Sequence, residues 1–118
     1  MSSFQLETEE ATDAGVVHVH AVGELDLTNA RELEERLEEL SRDNGALLVD
    51  VNRVVFIDSA ALHVLFRAAR RLGRSRFGIV CAPTAPIART IVLVGLPAAA
   101  AVGESVDAAL AALGTGTA

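Results

Sequence analysis

Apolar residues recur along this chain at two different periods by turns, and that alternation narrows the possible folds more than any other feature. Phe4, Leu6 and Thr8 alternate with polar positions, as in a short edge strand. Val17, Val19 and Ala21 alternate with His18, His20 and Val22 and end at Gly23, with Asp13 and Gly15 as a turn before them; the two strands predict a hairpin. The period then changes. Ala30, Leu33, Leu37 and Leu40 fall on one helical face, glutamates fill the other, Thr28 is placed to cap the start and Asn44-Gly45 to stop the helix. Residues 46–51 are a buried-strand run and residues 54–57 a second apolar stretch. A second helix over residues 60–72 carries Leu62, Leu65, Ala69 and Leu72 on one stripe, with Ser59 as its cap and Gly73 at its end.

The same alternation continues to the C-terminus. Residues 76–81 read as a strand, and Pro83 and Pro86 open a third helix running to about Val94, broken by Gly95-Leu96-Pro97. Residues 98–102 form a short last strand, Ser105 caps a final helix over residues 106–113, and residues 114–118 are a loose tail. Strand–helix–strand alternation implies parallel neighbours joined by right-handed crossovers. The expected fold is α/β: a single domain over residues 1–118, its core about 4–113, with a mixed β-sheet and about four helices packed against it.

Composition removes several classes of function. Hydrophobic residues make up 51% of 118, enough for one core, but there are four Phe and neither Trp nor Tyr. Base-stacking platforms need exposed aromatic rings, and phosphate backbones need a basic face; the net charge here is -6. The basic cluster Arg67, Arg70, Arg71, Arg74 and Arg76 lies around a helix C-terminus, where cations complement the helix dipole. No direct contact with nucleic acid is expected. The single cysteine, Cys81, lies in an apolar run and reads as a core residue, with no internal disulfide possible. The acidic N-terminus lacks the basic start of a signal peptide, and the longest apolar run, residues 91–102, is about half a membrane span and contains Gly95 and Pro97. The expectation is a cytoplasmic protein with no membrane insertion.

The usual reaction chemistry is also missing. There is neither a phosphate loop nor a G-x-G-x-x-G, so no nucleotide cofactor is expected. His18 and His20 share a strand face, but no carboxylate or cysteine lies close by in sequence; they read as solvated histidines on the open face of the hairpin, and no metal is expected. Ser59 and His63 stand four apart on one helix, as a nucleophile and base could, but without a nucleophile elbow. No catalytic residue is assigned.

What remains is a polar cluster at strand ends. Gly23-Glu24-Leu25-Asp26-Leu27-Thr28 leads from the second strand into the first helix, and Phe56-Ile57-Asp58-Ser59-Ala60-Ala61-Leu62 from the third strand into the second helix. In a parallel arrangement both emerge at the carboxyl ends of neighbouring strands, where open α/β sheets place their binding sites. At these segments, and at Gly95-Leu96, the sequence resembles the STAS domain family, named for sulfate transporters and anti-sigma factor antagonists. The resemblance runs over nearly the whole chain and implies a stand-alone antagonist (an anti-anti-sigma factor) rather than a transporter appendage.

The resemblance implies that Ser59 is a phosphoacceptor. It also implies that Asp26, Thr28, Asp58, Ser59 and Ala60 contact the partner, an anti-sigma factor that is itself a serine/threonine kinase. The unphosphorylated protein would bind that kinase, the phosphorylated form would let go, and a serine phosphatase would reset the cycle. Ala60 and Ala61 depart from the Ser and Gly usual in the family. A STAS-like scaffold or accessory subunit of a signalling or lipid-transport complex is the alternative.

Overall fold

The strands pair side by side in chain order. The computed structural model describes residues 4–9, 15–42 and 45–115. Its elements are β1 (Phe4–Glu9), β2 (Val16–Leu25), α1 (Ala30–Leu40), β3 (Ala46–Ile57), α2 (Ser59–Leu72), β4 (Phe77–Val80), α3 (Ala88–Leu93), α4 (Leu96–Ala99), β5 (Ala101–Gly103) and α5 (Val106–Thr115). The sheet runs β1-β2-β3-β4-β5. The β1–β2 pair is antiparallel and the remaining pairs are parallel, which gives the expected mixed sheet.

Alternate residues of β3 explain how the sheet is covered. Leu47, Val49 and Val51 join the larger core with Val19, Phe77 and Ile79, under Leu33 and Leu37 of α1, Leu65 of α2, Ile91 of α3 and Leu96 of α4. Leu48 points the other way and packs with Val16, Val80 and Ala101 under Ala109 and Leu113 of α5. The start of β3 is therefore apolar on both faces because both faces are roofed. Gly103 is a point of close approach: a Cβ there would lie 2.3 Å from Ala109 N and 2.6 Å from Ala109 Cα. Since backbone cannot rotate aside, Gly103→Ala is expected to lift α5 and cost about 1–3 kcal/mol. A lower urea midpoint with an unchanged slope would show it.

Several boundaries differ from expectation, each for a local reason. The two apolar stretches at residues 46–51 and 54–57 are one continuous strand. It pairs with β2 through two register slips, so that His20 faces Asp50 but Val22 faces Arg53, and Leu25 faces Ile57. Helix α1 begins after Asn29 rather than Thr28 and ends at Ser41, whose Oγ donates to Leu37 O at 2.7 Å, short of the expected stop. Asn44, like Asp13 of the hairpin turn, lies outside the described residues. The third predicted helix is two: Gly95, at φ 79, ends α3, and Pro97 sits in the first turn of α4, where its missing N–H leaves no bond unmade. Pro83 and Pro86 fall in the turns ahead of α3 rather than in it. Ser105 does cap α5, accepting from Ala108 N at 3.1 Å, and the helix runs on to Thr115; residues 116–118 lie outside the described residues.

The arginine cluster ties this fold together. Arg71 donates to Ser41 Oγ at 3.0 Å, Arg74 to Pro97 O at 2.7 Å, and Arg76 to Gly45 O at 3.3 Å. Arg70 and Arg71 occupy the last turn of α2, as the dipole reading expects. Among the described residues, no helix is long and apolar enough to cross a membrane.

Candidate functional site

Strands β2 and β3 are parallel neighbours, so the chain leaves both at the same edge of the sheet. After β2 it makes a tight turn over residues 26–29. Asn29 N donates to Asp26 O at 3.1 Å, and Asn29 Oδ1 accepts from Asp26 N at 3.0 Å. The Asp26 carboxylate folds over the turn, accepting from Thr28 N at 2.9 Å and from the Thr28 hydroxyl. Asn29 Nδ2 donates to Glu24 O at 2.8 Å, which anchors the turn to the strand. Thr28 is thus a turn residue and not the helix cap; Asn29 occupies that place, with its amide engaged by the turn.

After β3 comes Asp58, and it is this residue that caps α2, not Ser59. Its Oδ1 accepts from Ala61 N at 3.1 Å, and its carbonyl accepts from Leu62 N at 3.0 Å. Its Oδ2 reaches across to the other loop and accepts from Leu27 N at 2.9 Å. One carboxylate therefore clamps two segments 31 residues apart in sequence. Ser59 is moved into the first position of the helix, exposed to solvent, and Ala60 follows it, half-buried. Ala61 is fully buried in the core, so its methyl packs where glycine would leave a gap.

Asp58→Ala removes the cap and the tether together. It is expected to lower unfolding free energy by about 1–2 kcal/mol in urea denaturation. It should also speed amide exchange at Leu27, whose N–H loses its acceptor.

Exposed apolar groups flank this edge. Leu27 is 76% exposed, Val55 62% and Phe56 50%. Leu27, Ala30, Arg31, Glu34, Ala60, His63 and Arg67 line an open depression of about 310 Å³ between the turn and the two helices. Arg67 grips Glu34 by two bonds, at 2.6 and 3.2 Å. Those bonds hold the Glu34 carboxyl below its ordinary pKa, against the opposing effect of its partial burial. A carboxylate with a lowered folded-state pKa adds stability above its unfolded pKa and loses it on acidification, so this cross-helix contact belongs to neutral pH.

The profile of the STAS domain matches residues 5–109. The chain belongs to the STAS domain family. Over 68 residues it is 38% identical to the anti-sigma-F factor antagonist RsfB of Mycobacterium tuberculosis, a match that spans 56% of this chain and 56% of that protein. The crystal structure of an anti-sigma factor antagonist from Mycobacterium paratuberculosis superposes on this STAS domain with a TM-score of 0.80 and 32% identity, covering 94% of each chain. The phosphorylated form of the Bacillus cell fate determinant SpoIIAA shares the fold, with a TM-score of 0.60 at 18% identity, over 90% of this chain and 96% of that one.

Sequence reasoning reached Asp26, Thr28, Asp58, Ser59 and Ala60 in this STAS domain, and the structure brings their two segments together. It passed over Leu27 and Phe56. Leu27 had a signal, an apolar residue inside a polar turn; Phe56 had none, because it lies in an apolar run. Cys81 is buried as expected, and burial, then the nearby Asp50 charge, pushes its thiol pKa up, which disfavours the thiolate form. The histidine reading needs correction. His18 is buried, not solvated, and a carboxylate does lie beside the pair: Asp50, on the neighbouring strand, 3.5 Å from His20.

Proposed function

We propose that this protein is an anti-sigma factor antagonist that binds an anti-sigma serine/threonine kinase while Ser59 carries a free hydroxyl, and releases it once Ser59 is phosphorylated. The observation that carries this reading is the position of Ser59. It is exposed at the first residue of α2, beside the clamp that fastens the 26–29 turn to the same helix end. Leu27, Val55 and Phe56 supply exposed apolar area, with the half-buried Ala60 beside Ser59, and Asp26, Thr28 and Asp58 supply the polar contacts around it. The likeness to antagonists from two mycobacteria, and the existence of SpoIIAA in a phosphorylated form, support the same reading.

A phosphate on Ser59 adds about two negative charges at the mouth of α2. The positive end of the helix dipole tolerates them, so the fold survives. Asp58 is the adjacent residue and its carboxylate is held by backbone N–H groups, so it stays in place and repels the newcomer. A partner surface fitted to a neutral hydroxyl would have to bury an unpaired dianion, which costs several kcal/mol. The direct test is incubation with ATP and the cognate kinase. Phosphate should appear on Ser59, be absent from Ser59→Ala, and abolish co-elution with the kinase. Phosphorylation elsewhere, or retained co-elution, would refute the mechanism.

A further inference from the structure

The α5 side of the sheet carries a second group of polar side chains, two of them buried, apart from the proposed partner surface. His18 and His20 alternate with the core residues of β2, and Asp50 lies two residues along from Leu48 on β3, so all three share the α5 side of the sheet. One ligand atom from each of His18, His20 and Asp50 lies within 4.8 Å of the other two. The imidazole centroids are 4.4 Å apart, with the rings tilted by 40°. We propose that His18, His20 and Asp50 form a binding site for a divalent transition-metal ion of the zinc type.

Three observations support a metal site over a plain ion pair. His20 Nδ1 and Asp50 Oδ2 are 3.5 Å apart, too long for a good hydrogen bond. Two ligands of one tetrahedral zinc ion, with bonds of about 2.0–2.1 Å, stand roughly 3.3 Å apart. The carboxylate is also aimed: Asp50 Oδ1 accepts from Asn52 N at 2.9 Å, which turns Oδ2 toward the histidines, and Asn52 Oδ1 in turn accepts from Ala82 N at 2.7 Å. Outer contacts of this kind orient ligands in metal sites. Finally, the site sits at a register slip between β2 and β3, and such bulges re-aim side chains.

Two imidazoles and a carboxylate suit a late first-row divalent ion better than calcium or magnesium, which prefer oxygen ligands. The side chains of His20 and Asp50 keep 22% and 12% of their surface exposed. The guanidinium of Arg53, on the same strand as Asp50, is held by Glu7 of β1 at 2.8 Å. An ion here would fasten β2 to β3 below the loops they carry, with water completing its coordination.

The test uses the tag-free full chain with zinc chloride in isothermal titration, and cobalt(II) as a spectroscopic substitute. One ion per chain is expected, with a rise in melting temperature and visible d–d absorption on cobalt loading. Asp50→Asn and His20→Gln should each weaken binding by at least about tenfold and remove the absorption bands, while His63→Ala should keep both. His18→Ala carries a folding risk because His18 is buried, so the partly exposed His20 and the Asp50→Asn change decide the matter. Their apo forms are first shown to melt cooperatively. Equal zinc affinity in wild type, His20→Gln and Asp50→Asn would overturn the site, as would no change in melting at about 100 µM zinc.

Discussion

Ser59→Asp is expected to weaken binding to the anti-sigma partner by at least about a hundredfold while leaving the melting curve close to wild type. The two halves of that result have separate causes. Binding fails because a carboxylate, like a phosphate, cannot be buried unpaired in an interface fitted to a hydroxyl, and about 1.4 kcal/mol is already tenfold in affinity. Folding persists because position 59 is exposed at the positive end of a 14-residue helix, where an acidic side chain is tolerated or mildly favourable. Surface plasmon resonance against the partner and thermal melting of the free protein read the two halves independently. Wild-type affinity in this variant would remove the charge mechanism. Lost affinity together with a lowered melting temperature would instead mean that the substitution damages α2.

Leu37→Asp should have the opposite signature, abolishing the cooperative transition altogether. Leu37 is 1% exposed in the core between α1, α2 and the sheet. The change forfeits about 1.5–3 kcal/mol of apolar burial and adds several more for an unpaired buried charge. A domain of this size has only about 5–15 kcal/mol to lose. The same substitution at Leu27, which is 76% exposed, should shift stability by no more than about 0.5 kcal/mol while weakening partner binding. Far-UV circular dichroism and melting of the two variants side by side separate a residue that holds the fold from one that serves the surface. A cooperative wild-type transition in Leu37→Asp would mean that α1 packs by another face.

The order of elements was legible because strands and helices write different periods, and those periods are set locally. What was not legible was set at long range. Asp58 and Ser59 are both good capping residues, and nothing in the local pattern chooses between them. Asp58 also has a second acceptor oxygen, which the N–H of Leu27 claims from the neighbouring loop. Thr28 lost its capping place for the same kind of reason, because Asp26 draws its hydroxyl into the turn. The alternation put His18 and His20 on one face of β2, but did not show that this face carries a second core with His18 buried beside it, and their neighbour Asp50 is 30 positions away from His20 and becomes adjacent only when β2 and β3 pair. Pro97 and Gly95 were read as breakers, and they do break α3. The same two residues also start the next helical turn, because Gly95 precedes Leu96 at its head and Pro97 in its first turn has no N–H that would need a partner.

Strand β2 covers in 10 residues the distance that β3 covers in 12. The surplus acts as a ruler. Side chains along a strand alternate, so shortening β3 by a single residue near Asn52 would turn its upper end over, with Val54 facing water and Val55 facing inward. Ser59 would then leave the sheet pointing elsewhere, with every contact within the serine's own helix intact. The aim of the hydroxyl is thus measured out by strand length, well below the loop in which it sits.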